Sequence, residues 1–235
     1  MLPIAIDRSP YSNNKFDFSV IQAESVLDKV PKGDTSIIVG DSAYLYNKFI
    51  HNFGKRENVT VIIRMKTNKA IYEKYENNRE GSERKRKYGK KYLLNKPNSL
   101  PDPGYVEKFK ITTKKRLKLQ IRLSLFKEYI CRGGQDDTMS NIQINFIRAE
   151  VFKENGVRKY DRDLWIGVAG KAYNKVIAMN DFKKYADRFD LEHFFKFSKS
   201  KLLMDKMQSS DPKKDEDFML ITEIAYHALC KSATY

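Results

Sequence analysis

"TSIIVGDSAY", residues 35–44, decides the fold class. Ile37, Ile38 and Val39 are consecutive and β-branched, which suits a strand buried on both faces. The run stops at Gly40, Asp41 and Ser42, all turn formers. "VTVIIRM" (59–65) repeats the pattern, and "AYLYNKFIHNF" (43–53) between them reads as a helix. Strand, helix, strand predicts an α/β layer with parallel neighbours. Upstream, "LPIAI" (2–6) predicts a short strand. "NKFDFSVIQAESVLDKV" (14–30) predicts an amphipathic helix whose inner side carries Phe18, Ile21, Val26 and Val30.

Past residue 65 the character changes. Residues 66–104 are polar and close in the loop "NKPNSLPDPG". Four segments then alternate or run apolar like strands: "YVEKFKITT", "LKLQIRLSLFKEYI", "NIQINFIRAEVFK" and "DLWIGVAG". "CRGGQDDTMSN" and "KENGVRKYD" read as the turns between them. Near the end, Asn180 or Asp181 can cap a helix through about residue 203. A last helix follows from "SSDPKKDEDFMLITEIAYHALCKS", with a Ser/Asp cap and proline in its first turn. The α/β elements thus enclose a β-rich insertion.

Composition bounds the partner. The chain has 235 residues, 41% of them hydrophobic and 12% aromatic, so it is globular. Its net charge of +15 favours a polyanion, nucleic acid first and an anionic membrane second. Residues 66–127 hold 19 Lys and Arg against 6 Asp and Glu, and so carry +13 of that charge. "SERKRKYGKK" (82–91) is the densest part, which makes Arg84, Lys85, Arg86 and Lys87 candidate phosphate contacts. Tyr72, Tyr75, Tyr88, Tyr92, Tyr105 and Phe109 are interleaved, and rings can stack on bases. A solvated lysine-rich loop is the plainer explanation, but nearly the whole net charge in one segment favours nucleic acid. No apolar run approaches the roughly 20 residues of a membrane span. "MLPIAIDRSPY" lacks the basic start and long apolar stretch of a signal peptide. Cys131 and Cys230 lack metal-ligand spacing and suit a reducing cytoplasm, and three scattered histidines argue against zinc.

Two carboxylates stand out. Asp41 ends a buried strand before the insertion, where it can cap the next helix. Glu192 follows the insertion. At about 100° per residue, Tyr185, Arg188, Glu192 and Lys199 share one narrow stripe of a helix, with Phe189 and Phe195 on either side. An exposed ion-pair pattern explains this too. The flanking phenylalanines instead predict that Glu192 is partly buried, where a carboxylate must be paired or bind a metal. Hard oxygen ligands of this kind suit Mg²⁺ or Mn²⁺ in phosphoryl transfer.

The spacing Tyr185-x2-Arg188-x3-Glu192-x6-Lys199 resembles the Y-R-E-K signature of bacterial insertion-sequence transposases of the DDE class. "GDSAYLYNKF" resembles the family segment around the second catalytic Asp, "RFDLEHFFKFSK" that around the catalytic Glu, and "MLITEIAYHAL" the helix after it. The resemblance implies an RNase H-like core interrupted by a basic, β-rich insertion between the second Asp and the Glu. Residues 1–65 would begin the core, 66–170 form the insertion and 171–235 complete the core with the helical part carrying the Glu. It implies metal-dependent DNA strand cleavage and strand transfer, with Mg²⁺ or Mn²⁺ on Asp41 and Glu192. Tyr185, Arg188 and Lys199 would contact DNA phosphate. The implied partners are double-stranded DNA, as transposon ends and target, and a second copy in the DNA complex; no membrane is involved. The implied location is the bacterial cytoplasm, at the nucleoid. One part departs from the family pattern. Asp7 is the only early candidate for the first catalytic Asp, yet "LPIAIDRSP" looks like the third strand of such a core. The expectation is an N-terminally truncated copy; the rival readings are a non-catalytic DNA-binding remnant, and an unrelated RNA- or membrane-surface-binding protein.

Overall fold

The computed structural model describes residues 15–31, 33–45, 47–75, 87–113, 116–132, 138–170, 177–204, 206 and 209–232. In chain order these form α1 (Lys15–Leu27), β1 (Ser36–Gly40), α2 (Asn47–Phe53), β2 (Val59–Arg64), β3 (Ala70–Lys74), β4 (Tyr88–Leu93) and β5 (Tyr105–Thr112). β6 (Lys118–Cys131), β7 (Gln143–Lys153), β8 (Leu164–Ala169), α3 (Ala178–Asp187), α4 (Phe189–Lys201) and α5 (Pro212–Ser232) follow. They fall into two compact units: Leu27–Tyr185, and Met1–Val26 with Ala186–Tyr235. The expected strand at 2–6 lies outside the described residues.

The larger unit is built on a sheet of eight strands, in the order β1-β2-β8-β7-β6-β3-β4, with β5 on the first half of β6. β1 and β2 are parallel, as the strand-helix-strand reading predicts. Every other described pairing is antiparallel. The fold is therefore mixed α/β, with a mostly antiparallel sheet.

β3 and β4 lie in the polar stretch 66–104, where the sequence reading named no strand. Each offers the sheet little apolar surface: Ile71 from β3 and Tyr92 from β4 are buried, while their neighbours are largely polar. A short strand at the sheet margin needs no more than that, so its alternation is hard to see in sequence.

Alternation sorts the long strands into two faces. On one, Ile62, Leu123, Leu125, Ile147 and Ile166 make a core with Ala178 and Tyr185 of α3. Phe109 joins them edge-on to Phe182, ring centroids 6.2 Å apart. On the other, Leu45, Ile50, Val61, Ile63, Met65 and Ile144 line a small apolar space. Gly170 closes β8 at φ +123, where a Cβ would meet the Val59 carbonyl oxygen at 2.3 Å, so only glycine fits. β6 carries a bulge: Phe126 pairs Phe146, but Tyr129 pairs Ile144. Glu128 takes φ 65 there and donates its N–H to the Asn145 Oδ1 at 3.0 Å.

In the smaller unit α4 packs on α5. Phe194 lies edge-on to Tyr226, 4.8 Å between centroids, and Phe197 meets the same ring at 5.7 Å. Two expectations are corrected. The helix predicted through about 203 is two, α3 ending at Asp187 and α4 starting at Phe189. Among the α4 residues whose burial is described, Phe194 and Ser198, one turn apart, are buried, whereas Phe189 and Phe195 are well exposed. Glu192 is two residues before Phe194, about 200° round the helix, and so faces away from the packed side. α1 differs in a smaller way: Val20 is buried and Ile21 exposed.

Candidate active site

Asp41 directly follows β1 and precedes a single 3-10 turn, Ser42–Tyr44. Its Oδ1 accepts the Ala43 N–H at 2.7 Å. The strand supplies the position, and the cap fixes the side chain over the C-terminal end of the sheet's one parallel pair. The second oxygen, Oδ2, is engaged by no described residue, and the residue is partly buried.

Glu192 lies in the first turn of α4, its side chain 53% exposed. Arg188 Nη2 reaches its Oε1 at 2.7 Å, the i,i+4 geometry of a helix-face ion pair. The Arg188 guanidinium also lies over the Phe189 ring, 5.3 Å from the centroid. Lys199, in the last turn of α4, is exposed. It sits two turns from Glu192 on nearly the same side of the helix. Tyr185 belongs to α3 and is 1% exposed, its ring in the core of the larger unit. The structure thus brings Arg188 and Glu192 together and carries Lys199 on the same helix. Asp41 and Tyr185 fall in the larger unit, the other three in the smaller.

Both carboxylates fit a hard divalent cation. Each is an oxygen donor with one oxygen engaged and one open, and the Arg188 contact is a half-exposed pair of modest strength that an ion can displace. Among the described residues no group of three or more His, Cys, Asp or Glu could hold a metal. Asp7 lies outside them. Cys131 is no rival ligand: it is buried, and burial pushes its thiol up to about 12.

Of the four basic residues picked from the sequence, Arg84, Lys85 and Arg86 lie outside the described residues. Lys87 is exposed, just before β4. The interleaved aromatics are mostly packed. Tyr72 and Tyr88 pair across β3 and β4 at 5.1 Å, and Tyr92 is buried, donating to Glu73 at 2.5 Å. Burial and that carboxylate push the Tyr92 phenol up to about 12.

Sequence reasoning missed a charge cluster on β7 and the loop after it. Arg148 binds Glu150 at 3.2 Å and Asp163 at 2.6 Å. Arg158 binds Asp163 and lies 3.6 Å from Glu150, and Arg122 of β6 comes within 3.8 Å of Glu150. The Glu150 and Asp163 side chains are 9% and 6% exposed. Arg148-x-Glu150 on a strand was the available signal, since residues two apart share a face. Asp163 could not be added without knowing that the chain folds back.

No described helix is long and apolar enough to cross a membrane. No curated protein matches the chain. Residues 2–227, nearly its full length, match the family described as the transposase DDE domain. The match spans the Asp41 strand, the antiparallel strands after it and the helix bearing Glu192, and by it this chain belongs to the transposase DDE domain family.

Proposed function

We propose that the chain is the catalytic domain of an insertion-sequence transposase that cleaves DNA strands and transfers them with Mg²⁺ or Mn²⁺. Asp41 carries the reading: a capped, half-open carboxylate at the C-terminal end of a strand in a parallel pair, within a chain matched to the transposase DDE domain. Asp41 would hold the ion through Oδ2, and Glu192 through the oxygen that Arg188 leaves open. When bound, divalent ions activate the attacking oxygen and stabilise the leaving one. The chain's own residues do the rest. The Ala43 N–H orients the Asp41 carboxylate. Arg188 balances Glu192 before the ion arrives, then offers its guanidinium to a phosphate. Lys199 neutralises the next stretch of backbone, roughly 10 Å along α4. Tyr185 serves as a positioning residue, anchoring the end of α3. The protein works as a homodimer on transposon ends and target DNA, in the bacterial cytoplasm.

A second reading, a DNA-binding remnant without cleavage, draws on the ordinary structural roles of the same groups, Asp41 as a cap and Glu192 as an ion-pair partner. Nicking of supercoiled plasmid with Mg²⁺ or Mn²⁺, beside calorimetric metal titration, separates the two. Catalysis predicts nicking lost in Asp41→Asn and in Glu192→Gln, with metal affinity weakened and DNA binding kept. DNA binding with no metal-dependent nicking leaves the remnant. Nicking that survives both substitutions removes the assigned residues. Asp7→Ala is expected to change little, because the described chain between it and β1 forms one helix and no strand.

A further inference from the structure

We propose that the outer part of the sheet face opposite α3, where β5 runs beside the adjoining halves of β6 and β7, is a docking surface for the phosphate backbone of duplex DNA, an inference that rests on the reading of this chain as a DNA-acting protein. Phe109 points to α3, so its neighbours Lys108 and Lys110 point the other way. Ile121 and Leu123 belong to the α3 core, so Lys118, Gln120 and Arg122 also point away from it. Register lines them up: Lys108 opposite Arg122, Lys110 opposite Gln120, Thr112 opposite Lys118. The next strand continues the row, with Arg122 opposite Glu150 and Ser124 opposite Arg148. Lys108, Lys110 and Lys118 are exposed, and the Arg122 and Arg158 side chains largely so.

Two physical features make this more than scattered charge. Lys108 and Arg122 stand directly across from each other, an arrangement that repels and so costs stability unless an anion lies above it. Of the acids beside this row, Glu150 and Asp163 are nearly buried against Arg122, Arg148 and Arg158, while the exposed Glu154 makes a surface pair with Lys118 at 3.4 Å, a contact of modest strength that a phosphate can displace. Asp163 and Glu150 fix the Arg148 and Arg158 guanidiniums, and three arginines against these two carboxylates leave the cluster net positive; guanidinium forks match phosphate.

Lysines on β5 also have a simpler use, because charge on an edge strand deters pairing with another chain. The test separates the two. Anisotropy of a labelled duplex of about 30 base pairs is followed across a salt series for the full chain and for Lys108→Gln/Lys110→Gln/Lys118→Gln. Losing three phosphate contacts should lower the slope of log affinity against log salt by about 2.7, and affinity near 0.1 M salt by roughly a hundredfold. The matching triple Lys→Arg variant should restore both. An unchanged slope, with only more aggregation, assigns the lysines to edge protection and overturns the surface while leaving the transposase reading intact. No duplex binding by the parent chain at low salt overturns both. Competition by single-stranded RNA at lower concentration than duplex DNA overturns the choice of partner.

Discussion

Asp181, in the first turn of α3, is almost fully buried. Burial raises its carboxyl above the ordinary 3.8, against the opposing pull of Lys184 and a hydrogen bond from the Ile177 backbone. The unfolded chain therefore gives up this proton near pH 3.8, and the folded chain only at higher pH. Between those values the folded state holds more protons, so stability falls as pH rises through the window, and the loss is complete above the folded value. Asp181→Asn should remove that slope. Its stability relative to the parent, followed by urea unfolding, should improve as pH rises; a constant difference would show that Asp181 does not titrate on folding. At this scale the sequence was legible where chemistry follows local order. The strand end before Asp41 and the i,i+4 pairing of Arg188 with Glu192 are local features of this kind. The Arg148, Glu150 and Asp163 cluster was not legible, because only the hairpin return of β8 beside β7 joins its members.

α4 shows how an element can be identified correctly and its face misread. Phenylalanine stands at 189, 194, 195 and 197, so the helix has apolar residues on several sides and no single stripe to read. What selects Phe194 is the Tyr226 ring of α5, a residue 32 positions later. Phe194→Ala should cost the smaller unit about 3–5 kcal/mol, and Phe195→Ala under about 1 kcal/mol, in chemical denaturation. Equal costs would mean that the α4–α5 contact described here is not the packed one. The long strands β5 to β8 were readable because their alternation persists over eight or more residues in β5, β6 and β7. β3 and β4, at five and six residues with mostly polar side chains, lacked the length for a period to show.

Across the whole molecule, the excess charge is the property most open to measurement. The basic row on β5 and β6 and the run at 84–87 both belong to the segment that carries +13 of the net +15. If both touch one bound duplex, neutralising Arg84, Lys85, Arg86 and Lys87 together should lower the salt slope by up to about 3.6, adding to the effect of the three sheet lysines. A slope unmoved by the four substitutions would exclude that run from the bound surface. The fold class was legible only in outline. The α/β reading came from 35–65, and there the parallel pair is real; the antiparallel majority comes from the strands after residue 65, which continue the same sheet through β8.

The bulge at Glu128 has a consequence for how that continuous sheet tolerates change. Before it, β6 sends even-numbered side chains to the basic face; beyond it, Tyr129 and Cys131 take that side. The strand behaves as two combs joined half a tooth out of step. Lengthening or shortening the hairpin between β5 and β6 leaves both combs as they are, so the outer end can vary freely. Removing one residue at 127–128 would bring the combs into step and leave the paired side chains on their present faces, since Phe126 and Tyr129 already share a side, opposite Phe146 and Ile144; removing one elsewhere within β6 would turn one comb over, setting lysines against α3 or the apolar core against water. The joint between the basic platform and the central sheet is therefore the point in β6 that absorbs the loss of one residue without turning either face over.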